Sequence, residues 1–153
     1  MREKMLAGDV CNRILVFAER DLSLVQAAQL MRRRHVGCLV VVDETGAGRL
    51  VVGMLTDRDI FTAVVARELV ATQLTVGDVM SRELISTLED DSVKDMLVTM
   101  RRKGIRRLPV VTSQGVLVGL VTLDDVLALL AEQLREVAAV IETEALRERR
   151  ERA

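Results

Sequence analysis

The sequence predicts an α/β fold made of two pseudo-twofold-related copies of one strand-helix-strand-strand-helix unit, followed by a C-terminal helical extension. Three observations predict it. Gly8-Asp9-Val10 returns as Gly77-Asp78-Val79, and the same shift of 69 positions maps Arg13 onto Arg82, Asp21 onto Asp90, Ser23 onto Ser92 and Met31-Arg32-Arg33 onto Met100-Arg101-Arg102. After a three-residue insertion in the first copy, Val52-Gly53-Met54-Leu55-Thr56-Asp57-Arg58-Asp59 matches Val118-Gly119-Leu120-Val121-Thr122-Leu123-Asp124-Asp125. Within each copy, β-branched runs alternate with segments whose apolar residues recur at helical spacing. Two copies are too few for a solenoid, which needs about three stacked units. A pair facing itself across one cleft fits better, so function is sought where the copies meet.

The elements follow in order. Ile14-Leu15-Val16-Phe17 and Leu84-Ile85-Ser86-Thr87 read as short extended segments. Helices start at Ser23 and Ser92, where the hydroxyl can accept from the third helical N–H. Ala27, Ala28, Leu30 and Met31 share one face, as do Val93, Met96, Leu97 and Met100. Gly104 suits a left-handed helix end. Leu39 to Val42 and Leu108 to Val111 are buried-strand runs. Glycine-containing turns at 46–48 and 115 lead to Leu50-Val51-Val52 and Val116-Leu117-Val118, and Gly53 and Gly119 precede the last strand residues. The predicted boundaries are 1–69 for the first repeat, 70–131 for the second and 132–153 for a charged helical extension. The link at 68–76 is short and not rich in Pro or Gly, which argues against independent domains. Val126, Leu130, Leu134, Val137 and Ile141 form a heptad-like stripe, read as a contact with a second chain.

Composition removes several classes of function. The 153 residues can bury a core but leave room for one module. Half are hydrophobic and the net charge is −1, which argues against disorder and against a strongly basic nucleic-acid binder. Phe17 and Phe61 are the only aromatics, so a flat ligand must be held with little stacking. No apolar run approaches the roughly 20 residues of a membrane span, and no signal-peptide core is visible near Met1. Cys11 and Cys38 read as reduced thiols of a cytoplasmic protein. With His35 they are too few and too poorly spaced for a metal site, so no metal is expected.

The chemistry is carried by the two strand-to-helix turns, Gly53-Met54-Leu55-Thr56-Asp57-Arg58-Asp59 and Gly119-Leu120-Val121-Thr122-Leu123-Asp124-Asp125. Either alone is explained by a capping box, with Thr at the N-cap and the Asp carboxylate near the positive helix end. The same geometry suits a nucleotide. A helix N-terminus offers N–H groups to an anion. A Thr hydroxyl there can donate to a phosphate or ribose oxygen, an Asp can accept from vicinal ribose hydroxyls, and the preceding Gly can let a ligand approach the backbone. Arg32-Arg33-Arg34 and Arg101-Arg102-Lys103 suit helix C-termini, where cations complement the dipole; without aromatic platforms they do not point to nucleic acid.

Taken in order and twice, these turns with Gly77-Asp78-Val79-Met80 and Arg106-Arg107-Leu108-Pro109-Val110-Val111 make residues 8–131 resemble a tandem pair of CBS (cystathionine β-synthase) domains, a Bateman module. The resemblance implies adenosyl ligands in the clefts between repeats: AMP, ADP or ATP, with S-adenosylmethionine or NAD as further members of the class. It also implies a homodimer. Carried over residue by residue, it puts Thr56, Arg58 and Asp59 in one site with Ser86, Ile105, Arg106, Arg107 and Pro109. The other would combine Thr122 and Asp125 with Phe17, Ala18, Val36, Gly37 and Cys38. Gly37-Cys38 stands where the first site has its Arg pair, so polyphosphate is expected at the Asp59 site. The expected role is non-catalytic regulation of a separate protein chain. No Walker A or G-x-S-x-G pattern occurs and His35 has no evident nucleophile partner. The alternatives are an oligomerisation module that uses the turns only as caps, and nucleic-acid binding through the Arg clusters.

Overall fold

Each Gly-Asp-Val segment closes one helical turn because the Asp side chain reaches back to the turn's entry. In the computed structural model, which describes residues 4–152, the first such turn is α1 (Ala7–Val10), where Asp9 accepts from the Leu6 N–H. Arg13 donates to the Gly8 carbonyl at 3.2 Å, using a cation to satisfy a carbonyl at the turn's end. The chain then forms β1 (Phe17–Glu19), α2 (Leu24–Arg34), β2 (Cys38–Thr45), β3 (Gly48–Thr56) and α3 (Asp57–Phe61). A π-turn at Thr62–Ala66 and a 3-10 turn at Ala71–Gln73 lead to the second copy: α4 (Val76–Val79), β4 (Thr87–Leu88), α5 (Val93–Lys103), β5 (Arg107–Val111), β6 (Leu117–Thr122) and α6 (Leu123–Glu151). Two units are distinguished, Met1–Val121 and Thr122–Ala153.

The capping serines act as their spacing predicts. Ser23 accepts from the Gln26 N–H and Gln26 returns to the Ser23 N–H; Ser92 accepts from the Asp95 N–H. At the other helix end Gly104 is left-handed, with φ 64°. Its counterpart in the first copy is His35, left-handed at φ 54°, so the first repeat makes the same turn with a residue that has a Cβ.

Among the described residues the strands form two sheets, of order β1-β2-β3 and β4-β5-β6. In each, the short first strand is parallel to the second, Phe17 opposite Val40 and Thr87 opposite Val110. β2 and β3 are antiparallel, with an irregularity between Val41 and Val42. The short first strands lie further along than their apolar runs predict. Ile14 is 91% exposed and Leu84 51%, because the residues before β1 and β4 are not laddered to a neighbouring strand. Leu24, Ala27, Leu39, Val41, Leu55 and Val76 are fully buried in one core cluster. Val40, Val42, Val51 and Val111 form another on the alternate face, as a period-two strand with both sides covered requires.

The two copies are joined by bonds that occur in reciprocal pairs. Ala7 N donates to Asp91 O and Val76 N to Leu22 O; Gly8 N donates to Glu89 O and Gly77 N to Arg20 O. Asn12 bridges Leu120, and its repeat mate Ser81 bridges Met54. Leu50 bridges Val116, its own mate, so this pair sits on the pseudo-twofold axis. Gly53 and Gly119 show why the motif needs glycine. A Cβ on Gly53 would lie 2.4 Å from the Ser81 carbonyl oxygen, and one on Gly119 would lie 2.7 Å from that of Asn12. The close approach expected at these glycines is present, but its occupant is the backbone of the other repeat.

The second unit is the helix α6, 29 residues long and therefore about 44 Å from end to end. It confirms that the last predicted helix continues into the charged extension. Among the described residues, no helix is long and apolar enough to cross a membrane.

Candidate functional site

Thr56 ends β3 and caps α3. Its N–H donates to Asp59 Oδ2 at 2.8 Å, its hydroxyl donates to the same oxygen at 2.7 Å, and it accepts from the Asp59 N–H at 3.1 Å. The hydroxyl proton that the sequence offers to a ligand is thus given to Asp59. Thr56 positions the carboxylate, and both side-chain cap bonds fall on Oδ2.

The turn forms one wall of a cavity of about 410 Å³ that lies within the first unit. Thr56, Arg58 and Asp59 line this wall, and Ile105, Arg106 and Arg107 line the opposite one. Helix α5 creates the second wall. The left-handed Gly104 turns the chain, the Ile105 N–H closes on the Met100 carbonyl at 3.0 Å, and Ile105 to Arg107 pass along the cavity before β5 begins. Ser81, Glu83, Leu84 and Ile85 complete the lining from the segment that enters β4. Glu83 at this rim is bonded to Lys103 at 2.9 Å. The site therefore combines one acidic group held at a helix start, three guanidinium groups and apolar surface from Met54, Leu84, Ile85 and Ile105. Such a set can hold a polyhydroxyl group, an anion and a flat apolar group.

Of the residues expected here, Thr56, Arg58, Asp59, Ile105, Arg106 and Arg107 are brought together, while Ser86 and Pro109 do not line the cavity. Pro109 is fully buried within β5, and Ser86 is only partly exposed beside β4. Met54, Ser81, Glu83, Leu84, Ile85 and Gly104 were not expected, and Gly53, expected to let a ligand approach the backbone, also lines the cavity. The signal for Leu84 and Ile85 is that strand pairing begins only at Thr87. For Ser81 it is the match between Asn12 and Ser81 across the repeat.

Thr122 and Asp125 reproduce the same cap within the second unit. The Thr122 N–H and hydroxyl donate to Asp125 Oδ2 at 2.9 and 2.7 Å. In the first unit Phe17 lies beneath Arg49, whose guanidinium stands 4.1 Å from the ring centroid, a cation–π contact. Ala18 and Cys38 are buried, and Val36 and Gly37 are partly exposed at the entry to β2. Burial pushes the Cys38 thiol up from its ordinary value; the charge of Arg107 opposes this and that of Asp57 adds to it. Cys11 is also raised, again chiefly by burial. Both thiols are free. Asp78 is held below the usual carboxylate range by bonds from the Thr75 N–H and hydroxyl.

Comparison with known proteins agrees with this architecture. The CBS domain family matches residues 7–66 and 76–132, more than half of the chain. The chain belongs to the CBS domain family, as a tandem pair. It is 40% identical over 103 residues to the CBS domain-containing protein YhcV of Bacillus subtilis, covering 67% of this chain and 69% of that one. It is 33% identical over 120 residues to an uncharacterized protein of Methanopyrus kandleri, covering 78% of this chain. The match spans 60%, 22% and 60% of the lengths of three such relatives, the second being L-aspartate semialdehyde sulfurtransferase of Methanocaldococcus jannaschii. Among solved structures, the CBS domain pair of protein MJ0100 in complex with 5'-methylthioadenosine and S-adenosyl-L-methionine superposes with a TM-score of 0.73. The pair shares 27% identity, with 86% of this chain and 99% of that one covered.

Proposed function

We propose that the protein is a non-catalytic regulatory module that binds an adenine nucleotide between its repeats and acts on a separate protein chain. The observation that carries this reading is the cavity between Asp59 and Arg106-Arg107. Asp59 Oδ1, which takes no part in the cap, would accept from the ribose, and Arg58, Arg106 and Arg107 would hold the phosphates. A methylthioadenosine and S-adenosylmethionine complex of a related CBS pair supports the adenosyl class. The Arg-lined wall favours ADP or ATP over ligands without phosphate. Ser86 and Pro109 are left as supports of the segments that line the site. The second constellation, Thr122 and Asp125 with Phe17, Ala18, Val36, Gly37 and Cys38, would take a less charged ligand or none. A cytoplasmic homodimer belongs to the same proposal, the dimer resting on the exposed apolar residues Leu130, Leu134, Val137 and Ile141 of the last helix. A ligand that binds one arrangement of the module better than another shifts its population, which is sufficient for regulation.

The test is a thermal-shift panel of AMP, ADP, ATP, S-adenosylmethionine, NAD and GTP. A millimolar ligand with a micromolar dissociation constant stabilises the native state by roughly 4 kcal/mol. ADP or ATP is expected to give the largest shift. If no compound moves the melting temperature, the nucleotide reading fails and an oligomerisation module takes its place.

A further inference from the structure

Helix α6 carries an apolar stripe that differs in one position from the stripe the sequence suggests. Val126 is 2% exposed, whereas Leu127 is 54% exposed. The outward stripe is Leu127, Leu130, Leu134, Val137 and Ile141, spaced three, four, three and four, and the last four are 47–69% exposed. This is the a/d pattern of a two-helix coil. Ala131, Ala138 and Ala145 flank it at seven-residue intervals along one side. Small side chains at these positions allow a neighbouring helix to approach at the near end of the usual 8–10 Å range.

We infer that the stripe is covered by α6 of a second copy lying antiparallel to the first, an inference that rests on the homodimer reading above. The charges along the helix select both the occupant and its direction. From Leu123 to Glu132 the helix has three acids, Asp124, Asp125 and Glu132, and no base. From Leu146 to Arg152 it has four arginines, Arg147, Arg149, Arg150 and Arg152, against Glu148 and Glu151. A parallel pair sets acids against acids and arginines against arginines, and aligns the two helix dipoles. An antiparallel pair sets the basic end of each helix against the acidic start of the other and opposes the dipoles. The stripe is compatible with the reversal. Leu134 meets Val137 and Leu130 meets Ile141, and each layer recurs with the copies exchanged, as an isologous contact requires. At this register Arg135 falls opposite Glu136 and Arg147 opposite Asp124, while Leu127 falls opposite Glu144 at the edge of the apolar seam.

Spin labels distinguish the arrangements. Single nitroxides are placed at Glu136→Cys or Arg150→Cys in the full-length chain carrying Cys11→Ala and Cys38→Ala. Pulsed dipolar distances are then measured alongside light scattering. In the antiparallel pair the position 136 labels lie within about 25 Å of each other, given interaxial distances of 8–10 Å. The position 150 labels are separated by roughly 43 Å along the helix axis. Short distances at both positions mean a parallel pair and overturn the inference. A dimer by light scattering without the short distance at 136 also overturns it but leaves the homodimer reading standing. A monomer at all accessible concentrations sinks the homodimer reading as well, and assigns the stripe to another protein. In a label-free chain, Leu134→Lys with Val137→Lys is expected to give a monomer that retains its thermal shift with ATP. Retention of the dimer in that variant counts against the pairing.

Discussion

The turns at Thr56 and Thr122 are the same object twice, and the chain uses them differently. Their side-chain cap bonds agree within 0.1 Å: 2.8, 2.7 and 3.1 Å in the first, 2.9, 2.7 and 3.1 Å in the second. After the first, α3 lasts five residues before the backbone loosens into a π-turn; after the second, α6 continues for 29. The position 69 residues after Gly37-Cys38 is occupied by Arg106-Arg107, so the repeats differ at the strand entry that, in the second copy, lines the cavity of the Thr56 cap. The cap is a local property of the backbone. What surrounds a cap is not: the first faces a cavity whose opposite wall carries Arg106 and Arg107.

The largest expected effect tests that distinction directly. Asp59→Ala removes a charged hydrogen-bonding group worth about 1.5–3 kcal/mol, so ATP affinity should fall about ten- to hundredfold by calorimetry. Asp125→Ala should change it less than about twofold. Equal losses would show that both caps serve one polyphosphate ligand equally. Giving this wall the residues found at the matching positions of the first repeat, with Arg106→Gly and Arg107→Cys, should erase most of the preference for ATP over AMP. A roughly tenfold drop in the ratio of their affinities is expected, about 1.4 kcal/mol. An unchanged ratio would assign the phosphates to other groups.

The joint between the copies gives a smaller contrast. Gly53→Ala and Gly119→Ala each drive a Cβ into backbone of the opposite repeat, and urea unfolding should show losses of about 1–3 kcal/mol. The Gly53 variant should be the less stable of the two, since its nearest contact is 2.4 Å against 2.7 Å. The smallest effect concerns the thiols. Both are raised by burial, but Cys38 is only 8% exposed while Cys11 is partly exposed. Iodoacetamide at neutral pH should therefore modify native Cys11 before Cys38, as read by mass spectrometry. Faster labelling of Cys38 would mean that the entry to β2 opens more readily than the turn after α1.

The repeat, the capping serines, the left-handed Gly104 and the Thr-x-x-Asp turns were legible in the sequence because each depends on neighbours a few residues away. The cavity was legible in part. Arg106 and Arg107 were placed by the family resemblance, and they line the cavity opposite Asp59. Leu84 and Ile85 were misread as strand because their apolar character is the same in a ladder or beside a cavity; only pairing with β5, set at long range, decides. Pro109 was placed in the site and lies buried in β5, between the core residues Leu108 and Val110. The role of Gly53 was read only in part for a related reason: it lines the cavity, and it also admits the backbone of Ser81. A missing Cβ shows that something comes close, and the identity of the neighbour depends on the fold. His35 shows the limit of residue preference, because the tertiary arrangement imposes a left-handed turn that only its mate, Gly104, announces.

The reciprocal bonds across the Leu50–Val116 axis have a consequence for how this chain can change. In an assembly of two identical single repeats, any substitution would occur on both sides of such an axis. Covalent fusion removes that obligation. Gly37-Cys38 and Arg106-Arg107 can then differ while the shared framework, from Gly8 against Glu89 to Gly77 against Arg20, keeps its symmetry. One polypeptide thereby carries two inequivalent surfaces on a shared framework, each free to change without redesign of the contacts that hold the copies together.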